Sequence, residues 1–187
     1  MEKKHVLLYG ERGVGKSTMI EKLLQICTVP VYGFVTKATP RRADGYHSIY
    51  IYPAGSQKRF LSAENHVGDC NGRQRTVNGQ VFDSLGVSYL LQANADGILV
   101  MDELGFMEKD SAAFCQAVLN CLEQDIPVLA AVKNRQDIDF LKQVCQHPKA
   151  QLYRITQENR DAVYQELVPV MQKWNQRQTG DKSRTCL

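Results

Sequence analysis

Residues Gly10-Glu11-Arg12-Gly13-Val14-Gly15-Lys16-Ser17-Thr18 satisfy the pattern G-x-x-x-x-G-K-[ST] at every fixed position. They follow a short apolar run, Val6 to Tyr9, and precede a stretch in which Met19, Ile20, Leu23, Leu24 and Cys27 recur at helical spacing. Physical chemistry explains the spacing. The glycines let the backbone curl so that successive N–H groups converge, and the helix that follows presents its positive end to the same point. Such a loop suits the triphosphate of a nucleotide, ATP or GTP, with all nine residues as the binding segment. Lys16 then reaches the β- and γ-phosphates, and the Ser17 hydroxyl ligates Mg²⁺.

Around this strand–loop–helix unit the chain reads as alternating strands and helices. Strands are expected at 29–36, 98–102, 128–132 and 151–155, each rich in apolar or β-branched residues. Helices are expected at 81–95 despite Gly86, at 111–123 with Asp110 or Ser111 as N-cap, at 136–145, and at 157–174 with Thr156 as cap. Strands alternating with helices imply right-handed crossovers and a mostly parallel sheet. The stretch 39–79 differs: turn pairs such as Asp44-Gly45, Asn71-Gly72 and Asn78-Gly79 punctuate short β-like runs at 46–52 and 59–62. It is too short to bury a core of its own, so it reads as an antiparallel insertion on the sheet. Residues 1–174 then form one domain, a three-layer αβα sandwich of the P-loop NTPase class, and the polar residues 175–187 form a frayed tail.

The run Gly97-Ile98-Leu99-Val100-Met101-Asp102-Glu103 is an apolar strand that ends in two adjacent carboxylates. In doubly wound sheets, ligands bind at the C-terminal ends of strands. Asp102 is therefore the expected Mg²⁺ carboxylate, and Glu103 the expected base for the attacking water. Glu108 is the competing base or a supporting partner. Arg12, Arg41, Arg42, Arg73 and Arg75 are the arginines that could reach a γ-phosphate.

Composition narrows the partners. The net charge is +3, from 23 Lys and Arg against 20 Asp and Glu, which argues against a nucleic-acid binder. No apolar run is long enough to span a bilayer, and the N-terminal run is too short for a signal peptide. The six cysteines show no C-x-x-C pair, as expected of a chain in a reducing cytoplasm, and Cys186 is too near the end for a prenylation box. Nothing argues for an oligomer, so a monomer is the expectation.

Four segments taken together, residues 10–18, Gly33-Phe34-Val35-Thr36, Asp102-Glu103-Leu104-Gly105-Phe106-Met107-Glu108 and Glu158-Asn159-Arg160-Asp161, resemble one family. It is the small nucleoside-triphosphatases of the thermophilic phosphohydrolase type, also called cancer-related nucleoside-triphosphatases. The resemblance runs from about residue 4 to about residue 170. It implies slow, Mg²⁺-dependent hydrolysis of ATP, GTP, CTP and UTP to diphosphates, with Lys16, Ser17, Asp102 and Glu103 carried over. The chain departs from the family after Thr36, where Lys37 stands in place of an acid, and its segment 72–79 is abbreviated. A nucleotide or small-molecule kinase and a nucleotide-binding adapter without turnover stand as the alternatives. No base-reading N-K-x-D run appears; Asn134-Arg135 is a weak echo.

Overall fold

In the computed structural model, which describes residues 3–135 and 137–176, eight strands form one sheet in the order β5-β4-β3-β2-β6-β7-β1-β8. Strands β2 (Val31–Ala38), β6 (Ile98–Leu104), β7 (Val128–Lys133), β1 (His5–Gly10) and β8 (Ala150–Arg154) are mutually parallel. Strands β3 (His47–Pro53), β4 (His66–Cys70) and β5 (Arg75–Val77) extend the β2 edge in antiparallel fashion. The four inner parallel strands were legible as apolar runs because a parallel sheet covered on both faces has no polar side to show.

Alternation along the central strands sorts their side chains into two cores. Leu7, Phe34, Leu99, Met101, Val128 and Ala130 pack on one face against helices α4 (Ala112–Glu123) and α5 (Asp139–Gln146). Val6, Leu8, Val35, Ile98, Val100 and Leu129 pack on the other against α1 (Lys16–Gln25) and α6 (Arg160–Asn175). The result is the expected three-layer αβα arrangement.

The insertion departs from expectation in one place. No strand forms at 59–62; Asn65 donates its side-chain amide to the carbonyls of Phe60 and Ile51, doing there what a neighbouring strand would do. Phe60 and Leu61 are left exposed. The pairing goes instead to β4 and β5, whose sequences lack an apolar alternation.

The helix expected at 81–95 runs through α2 (Gly79–Val81), a π-helical turn (Phe82–Gly86) and α3 (Val87–Leu91). Gly86 fits there by close approach, since a Cβ at that position would stand 2.8 Å from the Phe114 ring. Ser111 does occupy the N-cap position of α4, but its hydroxyl turns to the Gly79 carbonyl at 3.3 Å, and Asp110 pairs with Lys109. Asp83 caps α4 instead, accepting the Phe114 N–H at 3.0 Å. Asp83→Ala should therefore cost about 1 kcal/mol, read as a melting point about 2–4 °C lower by calorimetry. An unchanged midpoint would discount this cap.

Before α6, Thr156 and Asn159 bond reciprocally, each side chain accepting the other's N–H, at 3.2 and 2.8 Å. At the far end, Asn175 belongs to the helix rather than to a tail. Its side chain bonds the Ile26 carbonyl and the Thr28 N–H, tying α6 to the turn after α1. Residues 177–187 of the expected tail and Gln136 lie outside the described residues; the helix expected from Gln136 begins at Asp139, after Asp137 and Ile138.

Candidate active site

Strand β1 ends at Gly10, and the loop turns through positive φ at Gly13 (82°) and Gly15 (106°) before α1 starts at Lys16. These left-handed positions are open to glycine at no steric cost. Val14 is buried under the loop, while Glu11, Arg12 and Thr18 face solvent. Lys16 is buried and donates to the carbonyls of Gly10 and Glu11, both at 3.1 Å, so its ammonium stands across the mouth of the loop.

Two strands away, β6 delivers the paired carboxylates. Asp102 is 1% exposed, and Ser17 Oγ donates to its Oδ1 at 2.7 Å. Burial pushes the Asp102 carboxyl above the usual range; the Ser17 hydroxyl and the Lys37 ammonium, 3.8 Å away, act against that shift. A hydroxyl and a carboxylate in hydrogen-bond contact form a hard-oxygen pair. That donor set suits Mg²⁺, which typically takes one or two carboxylates and completes its shell with phosphate oxygens and water.

Glu103 sits between two lysines, with Oε2 3.5 Å from Lys16 Nζ and Oε1 3.2 Å from Lys133 Nζ. The loop lysine and the second carboxylate, read separately from the sequence, are thus brought into contact. Thr36 fixes this strand end from β2: its hydroxyl donates to the Asp102 carbonyl and accepts the Glu103 N–H, both at 3.3 Å. Lys37 pairs with Glu21 at 2.8 Å beside Asp102.

Lys133 and Thr36 were not singled out as site residues from the sequence. The signal available for Lys133 was its place at the end of an apolar strand, and only the strand order puts that end between β6 and β1. Lys133 Nζ also lies 4.3 Å from the centroid of the Phe106 ring, on which the Arg75 guanidinium stacks at 4.7 Å. Of the arginines considered, Arg42 is bound up with Asp44, Ser48 and Asp69 within the insertion, whereas Arg75 comes toward the site through Phe106.

Glu108 is buried, and its carboxylate accepts the Gly105 N–H, closing the turn after β6. Burial raises its pKa to about 7. Below about pH 4.5 the group is protonated in both folded and unfolded chains. From there to about 7 the folded chain keeps a proton that the unfolded chain has released, so this contribution to stability falls as pH rises through that window. Glu108→Gln keeps an acceptor for Gly105 and removes the effect. Chemical denaturation of both chains should show the variant gaining about 3 kcal/mol on wild type between pH 5 and pH 8. Comparing the two chains cancels His5, whose buried imidazole, lowered to about 4, drives stability the opposite way. A constant difference across pH would contradict the assignment.

Over residues 5–168 the chain matches the model of a protein family described as NTPase. The chain belongs to this NTPase family. The resemblance read from its motifs therefore holds over almost all of the described residues. Among the curated relatives of this NTPase, the nucleoside-triphosphatase THEP1 of Methanocaldococcus jannaschii is 30% identical over 171 residues, covering 87% of this chain and 94% of the relative. The cancer-related nucleoside-triphosphatase homolog of Bos taurus is 28% identical over 184 residues, covering 90% and 97%. The crystal structure of THEP1 from Aquifex aeolicus superposes on this NTPase with a TM-score of 0.72 at 24% identity, covering 89% of this chain and 98% of that one. That likeness speaks to the fold.

Proposed function

We propose that this NTPase hydrolyses nucleoside 5′-triphosphates to diphosphate and phosphate, slowly, with Mg²⁺ and with broad tolerance of the base. The observation that carries this reading is the position of the Glu103 carboxylate. It lies at the mouth of the phosphate loop, 3.5 Å from Lys16, and is joined by its backbone to the Asp102 that bonds Ser17. A carboxylate at that point can accept the proton of a water attacking the γ-phosphorus. Lys16 holds the β- and γ-oxygens, and Ser17 with Asp102 would hold the metal. Mg²⁺ bound with the nucleotide would neutralise the charge that develops on those oxygens.

Lys133 is a positioning residue in this scheme. It holds the second oxygen of Glu103 and directs the first toward the loop. Lys133→Ala should lower kcat by about 10–100-fold, the scale for partners that orient a ligating or reacting group, with little change in KM. A proportionate rise in KM would instead put Lys133 on the substrate. Two of the insertion's arginines have other partners. Arg42 is committed to carboxylates, and Arg75 is stacked on a ring rather than free at the loop mouth.

The insertion strands pair into the sheet edge, which gives no support to a lid of the kind an acceptor kinase needs. Among the described residues no helix is long and apolar enough to cross a membrane. The test is phosphate release from ATP, GTP, CTP and UTP, with Mg²⁺ and with excess chelator. Release from all four that stops on chelation is expected. Release only when a phosphate acceptor is added would move the reading to a kinase, and bound nucleotide with no release under any condition would move it to an adapter.

A further inference from the structure

A groove of about 230 Å³ opens beside the phosphate loop, and Asp102 is not among the residues that line it. Its floor is Gly15, Thr18, Met19 and Lys22, and its far wall is Arg160 and Tyr164 from the first turns of α6. The volume is below the about 300–1,000 Å³ of sites that hold a whole small molecule, as expected of a space that takes only one end of a ligand.

The helix geometry of α1 says which end. Ser17 points to Asp102, where the γ-phosphate chemistry is placed. Thr18 is turned about 100° further round the helix, and Lys22 lies one turn beyond it on the same face. A triphosphate whose γ-end lies at Ser17 and Glu103 therefore has its α-end directed toward Thr18 and into this groove. What hangs from the α-phosphate is the nucleoside.

The motif Asn159-Arg160-Asp161 divides between two tasks at this wall. Asn159 is consumed by structure, bonding Thr156 and the Arg154 carbonyl. Arg160 is exposed and makes no ion pair among the described residues, although Asp161 also lines the groove. Its Cδ and Nη1 each lie 3.9 Å from where a Cβ on Gly15 would stand, so the side chain lies over the loop rather than out in solvent. Tyr164, one helical turn on, has Lys22 Nζ 5.9 Å from its ring centroid.

We propose that this groove seats the nucleobase, with the flat guanidinium of Arg160 and the ring of Tyr164 packing on its face. The inference rests on the triphosphate reading of the loop above. Stacking accepts any base because every base has a π-face. Arginine suits the role because its planar, weakly hydrated group stacks where the ammonium of lysine does not. A seat that grips the face and leaves the edge largely unread also accounts for tolerance of all four bases.

The test compares ligands with and without a base. Affinities of the β,γ-imido analogues of ATP and GTP, and of inorganic tripolyphosphate, all with Mg²⁺, are measured by calorimetry on wild type, Arg160→Ala, Arg160→Lys and Tyr164→Ala. Wild type should bind the nucleotides more tightly than tripolyphosphate. Arg160→Ala and Arg160→Lys should weaken both nucleotides by about 30-fold, the middle of the range for loss of one stacking partner, and leave tripolyphosphate unchanged. Tyr164→Ala should weaken the nucleotides alone in the same way. Wild type that binds tripolyphosphate as tightly as nucleotide overturns the proposal. So does an Arg160→Ala loss that is equal on both ligand types and restored by lysine, which would make Arg160 a phosphate anchor. Phosphate release is followed in parallel with ATP: absence of turnover with the affinity pattern intact would defeat the hydrolase reading alone and leave the base seat standing.

Discussion

A Glu103→Gln chain is expected to bind nucleoside triphosphate as tightly as wild type and to release phosphate at least about 100-fold more slowly, the lower bound for losing a general base. Glutamine keeps the shape and one oxygen of the side chain but accepts a proton poorly at neutral pH. Lys16 and Lys133, both within 3.5 Å of the carboxylate, would lose one counter-charge between them. That change favours the arrival of a polyanion, so weakened binding is not the expected cause of slow turnover. Phosphate release under saturating nucleotide, together with calorimetric affinity, separates the two effects. Turnover within a few-fold of wild type would remove Glu103 from the chemistry. Glu108 is a poor substitute, because it is buried and its carboxylate faces the Gly105 N–H.

Lys16→Ala should fail in a different way. Its ammonium is buried and bridges two loop carbonyls and Glu103, so the substitution strips the loop of its fixed cation and leaves polar groups of the loop unpaired. Loss of one preorganised charge at a reacting phosphoryl group costs about 10²–10³ in kcat. Here affinity should fall as well, because the same lysine grips the ground-state phosphates. The expected signature is therefore a raised Kd with a lowered kcat, against an unchanged Kd for Glu103→Gln. A Lys16→Ala chain that still bound tripolyphosphate at wild-type affinity would mean that the loop does not hold the phosphates in the way its sequence suggests.

The phosphate loop, the parallel strands and the Asp102-Glu103 pair were legible because each is written locally. A glycine pattern, an apolar run and a carboxylate at a strand end need no knowledge of what lies next to them in space. Features made by contacts between distant segments were not legible. Strands β4 and β5 carry no period of their own and become strands because β3 offers an edge. The cap of α4 comes from Asp83 across 31 residues, and the adjacent Ser111 is diverted to Gly79. Lys133 reaches Glu103 only because β7 is threaded between β6 and β1. Glu108, which the sequence offered as a second base, is withdrawn from solvent by the turn that it closes.

The first strand has its partners far along the chain. Among the described residues β1 pairs with β7 at residues 128–133 and β8 at residues 150–154, so the strand that carries the phosphate loop finds these partners once the last third of the polypeptide exists. At ribosomal speeds of about 5–20 residues per second, the loop waits on the order of ten seconds after emerging before its sheet neighbours are made. A growing chain therefore displays its most recognisable sequence long before it can use it. The strands that flank the phosphate loop are the last two of the fold to be made.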